Sequence, residues 1–143
     1  MIRAVVDPSV FVSAFIGNPD AGPGRLVDAW RDRRFVLVVS PLLLAELGEV
    51  LSRPKFARWA GDGRAEAYVA GFSARSEHQP DPSQPPPQAV RDPKDDYLVA
   101  LIRATHADVL VSLDHDLLDA QRDGITVTDP AVFVGSLEDA DDK

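Results

Sequence analysis

The segment 91–118 joins a capped helix to a short buried strand, and this pairing constrains the fold more than any other feature. Asp92 is suited to the N-cap of a helix and Pro93 to its first position. Apolar residues then recur at helical spacing as far as Thr105, which predicts one buried helical face. The β-branched run 108–112 is typical of a buried strand. The segment therefore predicts alternating helices and strands, the pattern of an α/β fold.

The rest of the chain continues this alternation. Strands are predicted at 2–6, 35–39 and 125–127. Helices are predicted to begin at Pro8 and at Pro41, and to lie around Leu26 to Trp30 and near 115–120. A further helical stretch is predicted over 54–75 with a break at 61–63, and a last helical turn from Pro130. We therefore predict a three-layer α/β/α fold around a central, mostly parallel sheet with right-handed crossovers. One domain is expected over 1–137, followed by a polar, frayed tail at 138–143. The proline-rich stretch 79–88 is predicted to be an extended connection on the surface of that domain.

Composition excludes several classes of function. The 143 residues include no cysteine, which excludes disulfides, thiol nucleophiles and thiolate metal sites. The three histidines share no spacing with one another or with a serine, and no glycine-rich phosphate loop is present. No apolar run approaches the ~20 residues of a membrane helix and no secretory leader opens the chain, so we expect a cytoplasmic protein without membrane contact. The net charge of −8 argues against non-specific adhesion to nucleic acid.

Four acidic residues are predicted to meet at one edge of the sheet. Asp7 and Asp114 follow strand ends. Glu46 and Asp96 lie near helix starts. These two kinds of position share one rim of a parallel sheet, where ligand sites lie. Close like charges require a proton or a cation, and oxygen ligands without histidine or cysteine favour Mg²⁺ or Mn²⁺. Such a metal can activate water and orient a phosphodiester.

Each acid also has a purely structural explanation. Asp7 would be an N-cap, and Glu46 a solvated residue beside the apolar stripe of its helix. Asp96 would complement the dipole of its helix, and Asp114 and Asp116 would be turn or cap residues. Only their joint placement at one rim favours a site, and the pattern leaves open whether Asp114 or Asp116 is the working acid.

Two serines and a group of basic residues complete the candidate site. The hydroxyls of Ser9 and Ser112 are predicted to hold the carboxylates or a water on the metal, and so to assist substrate binding. Backbone capping is an equal alternative for Ser9. The candidates for phosphate contacts, for which a solvated helical face is the alternative, are Arg53, Lys55, Arg58 and Arg64.

Four segments resemble the motifs of the PIN-domain family, and within it the VapC-like toxins of toxin–antitoxin systems. They are Val-Val-Asp-Pro-Ser-Val at 5–10, Ser-Pro-Leu-Leu-Leu-Ala-Glu-Leu at 40–47, Arg-Asp-Pro-Lys-Asp-Asp-Tyr-Leu-Val-Ala-Leu at 91–101 and Ala-Asp-Val-Leu-Val-Ser-Leu-Asp-His-Asp-Leu-Leu at 107–118. The resemblance covers nearly all of 2–133. Pro8 replaces a small or hydroxyl residue of the family and Ser112 a common threonine, and neither change removes an acid.

The resemblance implies a function for the four acids. Asp7, Glu46, Asp96 and Asp114 correspond to the catalytic acids of the family, and we expect the three aspartates to ligate Mg²⁺ or Mn²⁺ while Glu46 orients or deprotonates the attacking water. The implied protein is an endoribonuclease that cleaves RNA, forms a homodimer and is blocked by a small antitoxin protein.

Two other functions are compatible with the sequence. A phosphatase of the haloacid-dehalogenase type also has an aspartate after its first strand, but it normally requires a second aspartate at the position of Ser9. A PIN fold with a silent site could instead serve as a binding module, although four retained acids argue against this.

Overall fold

A parallel β-sheet forms the centre of the protein. The structure, a computed structural model, describes residues 1–82, 93–119 and 125–141, without the side chains of 93–96, 116, 119 and 141. Within these ranges the strands are β1 (Arg3–Val6), β2 (Val36–Val39), β3 (Glu77–His78), β4 (Val109–Val111) and β5 (Val127–Thr128). They lie in the order β3-β2-β1-β4-β5, every neighbouring pair is parallel, and helices flank the sheet. The predicted three-layer α/β/α fold is confirmed.

Most of the helices begin at a cap or a proline. In the same ranges they are α1 (Pro8–Ile16), α2 (Gly22–Arg31), α3 (Pro41–Leu51), α4 (Ala57–Ala60), α5 (Arg64–Ala74), α6 (Pro93–Thr105), α7 (His115–Asp119) and α8 (Pro130–Asp141), with a 3-10 turn at Pro54–Phe56. Helix α2 packs on α1 and α8, α3 packs on α1 and α5, and α6 packs against β1 and β4. None of the helices within the described ranges combines the length and the apolar character needed to cross a membrane.

The register of the central strands determines which side chains meet at the rim. Val6 of β1 is the register partner of Val111 of β4, and both are fully buried. The backbone N–H of Asp7 donates to the carbonyl oxygen of Val111 at 2.9 Å. The residues that follow β1 and β4 are therefore immediate neighbours at the carboxyl edge of the sheet.

Some elements differ from the prediction. Strand β3 pairs with β2, but the sequence does not predict it, because two polar residues at a sheet edge show no apolar alternation. Helix α2 begins at Gly22, inside the predicted loop at 18–24. The single turn expected from Pro130 is a helix of 12 residues, so the polar residues from Glu138 continue it as far as Asp141. Of the predicted connection 79–88, only 79–82 fall within the described residues.

Two glycines are required by the backbone. A Cβ at Gly24 would lie 2.5 Å from the carbonyl oxygen of Pro19, so only glycine permits this close approach. Gly63 has a φ of +79° and follows Asp62 at +59°, which ends the preceding helical turn and starts α5 in a new direction. The predicted break at 61–63 is thereby confirmed.

An ion pair crosses the sheet at the edge opposite the rim. The Arg3 guanidinium donates through Nε to Glu77 Oε1 at 3.0 Å, through Nη2 to Oε2, and through Nη1 to the carbonyl oxygen of Thr105 at 2.9 Å. These bonds connect β1, β3 and the end of α6. The hydrogen bond with Glu77 raises the pKa of Arg3, and the same bond holds the pKa of the Glu77 carboxyl below its usual range.

Glu77→Gln is expected to lower the free energy of unfolding by about 1 kcal/mol at pH 7. Because the pKa of Glu77 is lower in the folded protein than in the unfolded chain, the ion pair stabilises the fold above the unfolded pKa of ~4.3. This contribution is lost as the pH falls through the folded pKa, so variant and wild type should converge in acid. Urea denaturation between pH 3 and pH 7 measures the difference.

Glu138→Gln is the matched control, because it removes the ion pair between Glu138 and Arg25. The Glu138 side chain is 50% exposed, whereas that of Glu77 is 32% exposed. At pH 7 the loss of stability in Glu138→Gln should be the smaller of the two. Equal losses in the two variants would contradict a special contribution from Glu77.

Candidate active site

Asp7 lies directly after β1 and is held by hydrogen bonds to both of its carboxylate oxygens. Its Oδ1 accepts from the backbone N–H of Ser9 at 3.0 Å, so Asp7 is also the N-cap of α1. Its Oδ2 accepts from the hydroxyl of Ser112 at 2.9 Å. The capping and site explanations of Asp7 are therefore compatible, because the same two bonds cap the helix and orient the carboxylate.

Ser112 connects the two acids that follow neighbouring strands. It is fully buried after β4, and its Oγ accepts a hydrogen bond from the backbone N–H of Asp114 at 3.0 Å while it donates to Asp7. The predicted contact of Ser112 with a carboxylate is thus present. For Ser9, the observed donor to Asp7 is the backbone N–H, which is the capping alternative.

Three of the predicted acids share one pocket. Asp7, Glu46 and Asp114 line a cavity of about 530 Å³. Its other lining residues are Pro8, Ser9, Val12, Ser13, Ile16, Val50, Phe56, Leu98 and Leu113. None of these lining residues, as far as the described part of the chain extends, is basic. Three acids that line one partly apolar cavity give it a negative potential that attracts a cation.

The fourth acid and its alternative are only partly described. Asp96 lies in the first turn of α6, as the sequence predicts, but its side chain is outside the described residues, and so is that of Asp116. Asp92, the predicted N-cap of this helix, also falls outside them. Leu98, two residues beyond Asp96, lines the acidic pocket, so the start of α6 reaches its wall.

Glu46 occupies the second turn of α3, rather than its start, and is half-buried. The amino end of this helix carries a hydrogen-bonded network: Tyr97 Oη donates to Asp81 at 2.6 Å and also contacts the Ser40 hydroxyl. Burial raises the pKa of the Tyr97 phenol, the hydrogen bond to Asp81 raises it further, and the negative charge of Glu46 acts in the same direction. The phenol is therefore a donor at neutral pH, close enough to Glu46 to experience its charge.

The metal-ligand atoms that this pocket offers are suited to a hard divalent cation. They are carboxylate oxygens, which Mg²⁺ and Mn²⁺ prefer, and the described lining contains no histidine or cysteine. A carboxylate can accept hydrogen bonds at about four positions. Among the described contacts, Asp7 accepts one hydrogen bond on each of its two oxygens. Within the described side chains no group of three acids or histidines is close enough to hold a metal ion, and Asp96 is not part of that set.

The basic candidates divide into two groups. The Lys55 ammonium lies 5.1 Å from the ring centre of Phe56, which lines the acidic pocket, and the Arg58 guanidinium lies 4.6 Å from that of Trp59. Arg53 instead pairs with Glu49 at 3.0 Å and lines a neighbouring apolar cavity. Arg64 donates to the carbonyl oxygen of Gly61 at 3.2 Å. Lys55 is therefore the basic candidate next to the acidic pocket.

Sequence reasoning missed Tyr97 and Asp81. In the sequence, Tyr97 is one residue of a helical pattern that does not mark it as functional, although a buried phenol requires a hydrogen-bond partner. Asp81 lies in the proline-rich stretch that predicted only a connection, yet it accepts from the backbone N–H of Leu42 at 3.2 Å. No local pattern pairs residues that are 16 positions apart.

Comparisons with known proteins identify a matching family and a similar fold. A family model described as PIN domain matches residues 3–116. The chain is 34% identical over 76 residues to the uncharacterized protein MJ1680 of Methanocaldococcus jannaschii, a match that covers 52% of this chain and 48% of the relative. The chain thus spans about half the length of this curated relative. The crystal structure of PAE2754 from Pyrobaculum aerophilum superposes with a TM-score of 0.61 at 18% identity, covering 97% of this chain and 90% of that one, so it is similar in fold.

Ser112→Ala should lower the free energy of unfolding by about 1 kcal/mol, because it removes a buried donor to Asp7 and leaves the Asp114 N–H without this acceptor. Ser9→Ala is the matched control, since its backbone donor to Asp7 remains and its exposed hydroxyl is lost at a cost within ~0.5 kcal/mol. Urea denaturation at neutral pH measures both. Similar losses would show that the buried hydroxyl has no special function.

Proposed function

Because this chain belongs to the PIN-domain family, whose members are generally nucleases, we propose that it is a divalent-metal-dependent endoribonuclease that cleaves RNA phosphodiester bonds. The observation that carries the proposal is the single pocket lined by Asp7, Glu46 and Asp114. These residues come from three distant parts of the chain. A shared, half-buried acidic pocket at the carboxyl edge of a parallel sheet is what a metal-assisted hydrolase requires.

Each residue has a proposed part in the reaction. Asp7, Asp96 and Asp114 would hold Mg²⁺ or Mn²⁺, which supplies water activation and charge neutralisation at the phosphodiester oxygens. Glu46 orients the attacking water and accepts its proton. Ser112 keeps Asp7 in one orientation, and the N–H of Ser9 supports the other carboxylate oxygen. We prefer Asp114 to Asp116 as the working acid, because Asp114 lines the pocket.

The described lining of the pocket includes no basic side chain, so an RNA substrate depends on positive charge outside it. An RNA strand approaching three carboxylates needs positive charge at the entrance, and Lys55 is adjacent in sequence to the pocket residue Phe56. With a net charge of −8, binding then depends on this local arrangement and the cation rather than on overall attraction.

We further propose that the protein is the toxin of a toxin–antitoxin pair. The resemblance of its four motifs to VapC-like toxins supports this assignment. It also supports a homodimer, a cytoplasmic location and a cognate antitoxin that blocks the acidic pocket. A blocking segment would need a cation or a hydrogen-bond donor to approach Asp7 and Glu46.

Asp96→Asn is expected to reduce Mn²⁺-dependent cleavage of RNA by more than about 100-fold, because it removes a charged ligand without changing the size of the side chain. The substrate is a pool of end-labelled single-stranded RNA oligonucleotides, and gel analysis measures the initial rate. Asp62→Asn is the matched control, since Asp62 is exposed, lies outside the pocket and has a left-handed backbone that asparagine tolerates.

Three results would contradict parts of this proposal. An undiminished rate in Asp96→Asn, with circular dichroism unchanged, would show that this acid has no catalytic function. Hydrolysis of p-nitrophenyl phosphate by the wild type, with RNA left intact, would favour the phosphatase alternative. Titration calorimetry that detects no Mn²⁺ binding would favour a silent binding module.

Induced expression of the wild type in a bacterial host should arrest growth, because an unblocked ribonuclease depletes cellular RNA. Expression of Asp96→Asn to the same level should not, whereas Asp62→Asn should arrest growth as the wild type does. Optical density and total RNA integrity are the measurements. Growth unaffected by an active wild-type enzyme would contradict the toxin function and leave the nuclease function intact.

A further inference from the structure

Tyr97 lies on α6 immediately after the proposed metal ligand Asp96, and its phenol reaches another helix. Its Oη donates to Asp81 Oδ1 at 2.6 Å and makes a second hydrogen bond with the hydroxyl of Ser40. Ser40 is fully buried and Tyr97 is half-buried. Two polar partners on one half-buried phenol define the position of the side chain more narrowly than apolar packing would.

Both partners belong to the amino end of α3. Ser40 is the N-cap of this helix, and its hydroxyl accepts from the backbone N–H of Leu43 at 3.3 Å. Asp81 accepts from the backbone N–H of Leu42 through both carboxylate oxygens, at 3.2 Å each. The Tyr97 phenol is therefore bonded to the two groups that cap α3, the helix that carries Glu46.

We propose that Tyr97 is a positioning residue of the acidic site, which holds the first turns of α6 against the amino end of α3. The inference rests on the proposed function, since it concerns how Asp96 and Glu46 are held in one register. Tyr97 directly follows Asp96, and Glu46 lies six positions after Ser40, so the phenol connects the two acids through short, rigid lengths of helix.

The required accuracy explains why a hydrogen bond is used here. Metal ligands must be held within about 0.2 Å of their working distances, and a displacement of ~1 Å in an active site can cost about 100-fold in rate. Among the described contacts, α6 packs on β1 and β4 through apolar side chains, which restrain its distance from the sheet better than its shift along its own axis. The bond from Arg3 to the Thr105 carbonyl oxygen restrains the carboxyl end of the helix. The bonds to Ser40 and Asp81 oppose the shift at its amino end, where Asp96 lies.

Tyr97→Phe tests the proposal, because it removes the phenolic oxygen and keeps the ring. We expect its affinity for Mn²⁺, measured by titration calorimetry on the full chain, to fall about 10-fold, as is usual when a group that orients a metal ligand is lost. Cleavage of single-stranded RNA should show a lower kcat with little change in KM, since the residue does not contact the substrate.

Tyr68→Phe is the matched control. The Tyr68 hydroxyl is also part-buried and donates to the carbonyl oxygen of Phe11 at 2.8 Å, but it lies on α5, outside the acidic pocket. Both variants should lower the melting temperature by a similar few degrees. Only Tyr97→Phe should weaken Mn²⁺ binding. Asp81→Asn, which keeps Tyr97 and weakens its acceptor, should change the affinity in the same direction by a smaller factor and serves if Tyr97→Phe does not fold.

The outcomes separate this proposal from the one beneath it. Suppose that the wild type binds Mn²⁺ and cleaves RNA, and that Tyr97→Phe, Asp81→Asn and Tyr68→Phe all bind Mn²⁺ within about 2-fold of the wild-type affinity. This result would overturn the positioning function alone. A wild type that neither binds Mn²⁺ nor cleaves RNA would overturn the proposed function and this inference together.

Discussion

The parallel pairing of β1 with β4 is the interaction on which the candidate site depends. The register sets Val6 opposite Val111, and the hydrogen bond from the Asp7 N–H to Val111 extends the pairing by one residue beyond the strand. Because side chains alternate between the faces of a sheet, a shift of one residue would direct the residue after each strand to the other face. The contact between Asp7 and Ser112 exists only in this register.

Neutral groups hold the Asp7 carboxylate in place in the described part of the pocket. Asp7 accepts from a backbone N–H and a serine hydroxyl, and the same hydroxyl accepts from the backbone N–H of Asp114. Such donors orient a carboxylate without neutralising its charge, so the pocket keeps its negative potential for a cation. The ion pair of Arg3 with Glu77, in contrast, lies at the opposite edge of the sheet, where it contributes to stability.

The fold was more predictable than the site. Long apolar runs such as 35–39 and caps such as Ser40 are local signals, and they predicted strand β2 and the start of α3 correctly. The strand at Glu77 and the full length of α8 were missed, because both depend on partners elsewhere in the chain. The strand pairs with β2. Helix α8 packs on α2, and Arg25 of α2 forms an ion pair with Glu138. Tertiary contacts stabilise these segments despite weak local patterns.

By itself, the amino-acid sequence determined the α/β class and the parallel sheet, because alternation, caps and β-branched runs are short-range properties. Only the tertiary structure decided that Asp7, Glu46 and Asp114 share one cavity, that the backbone of Ser9 rather than its hydroxyl contacts Asp7, and that the Tyr97 phenol bonds to both caps of α3. Those facts depend on strand register and on the packing of helices far apart in the chain, which no local pattern encodes.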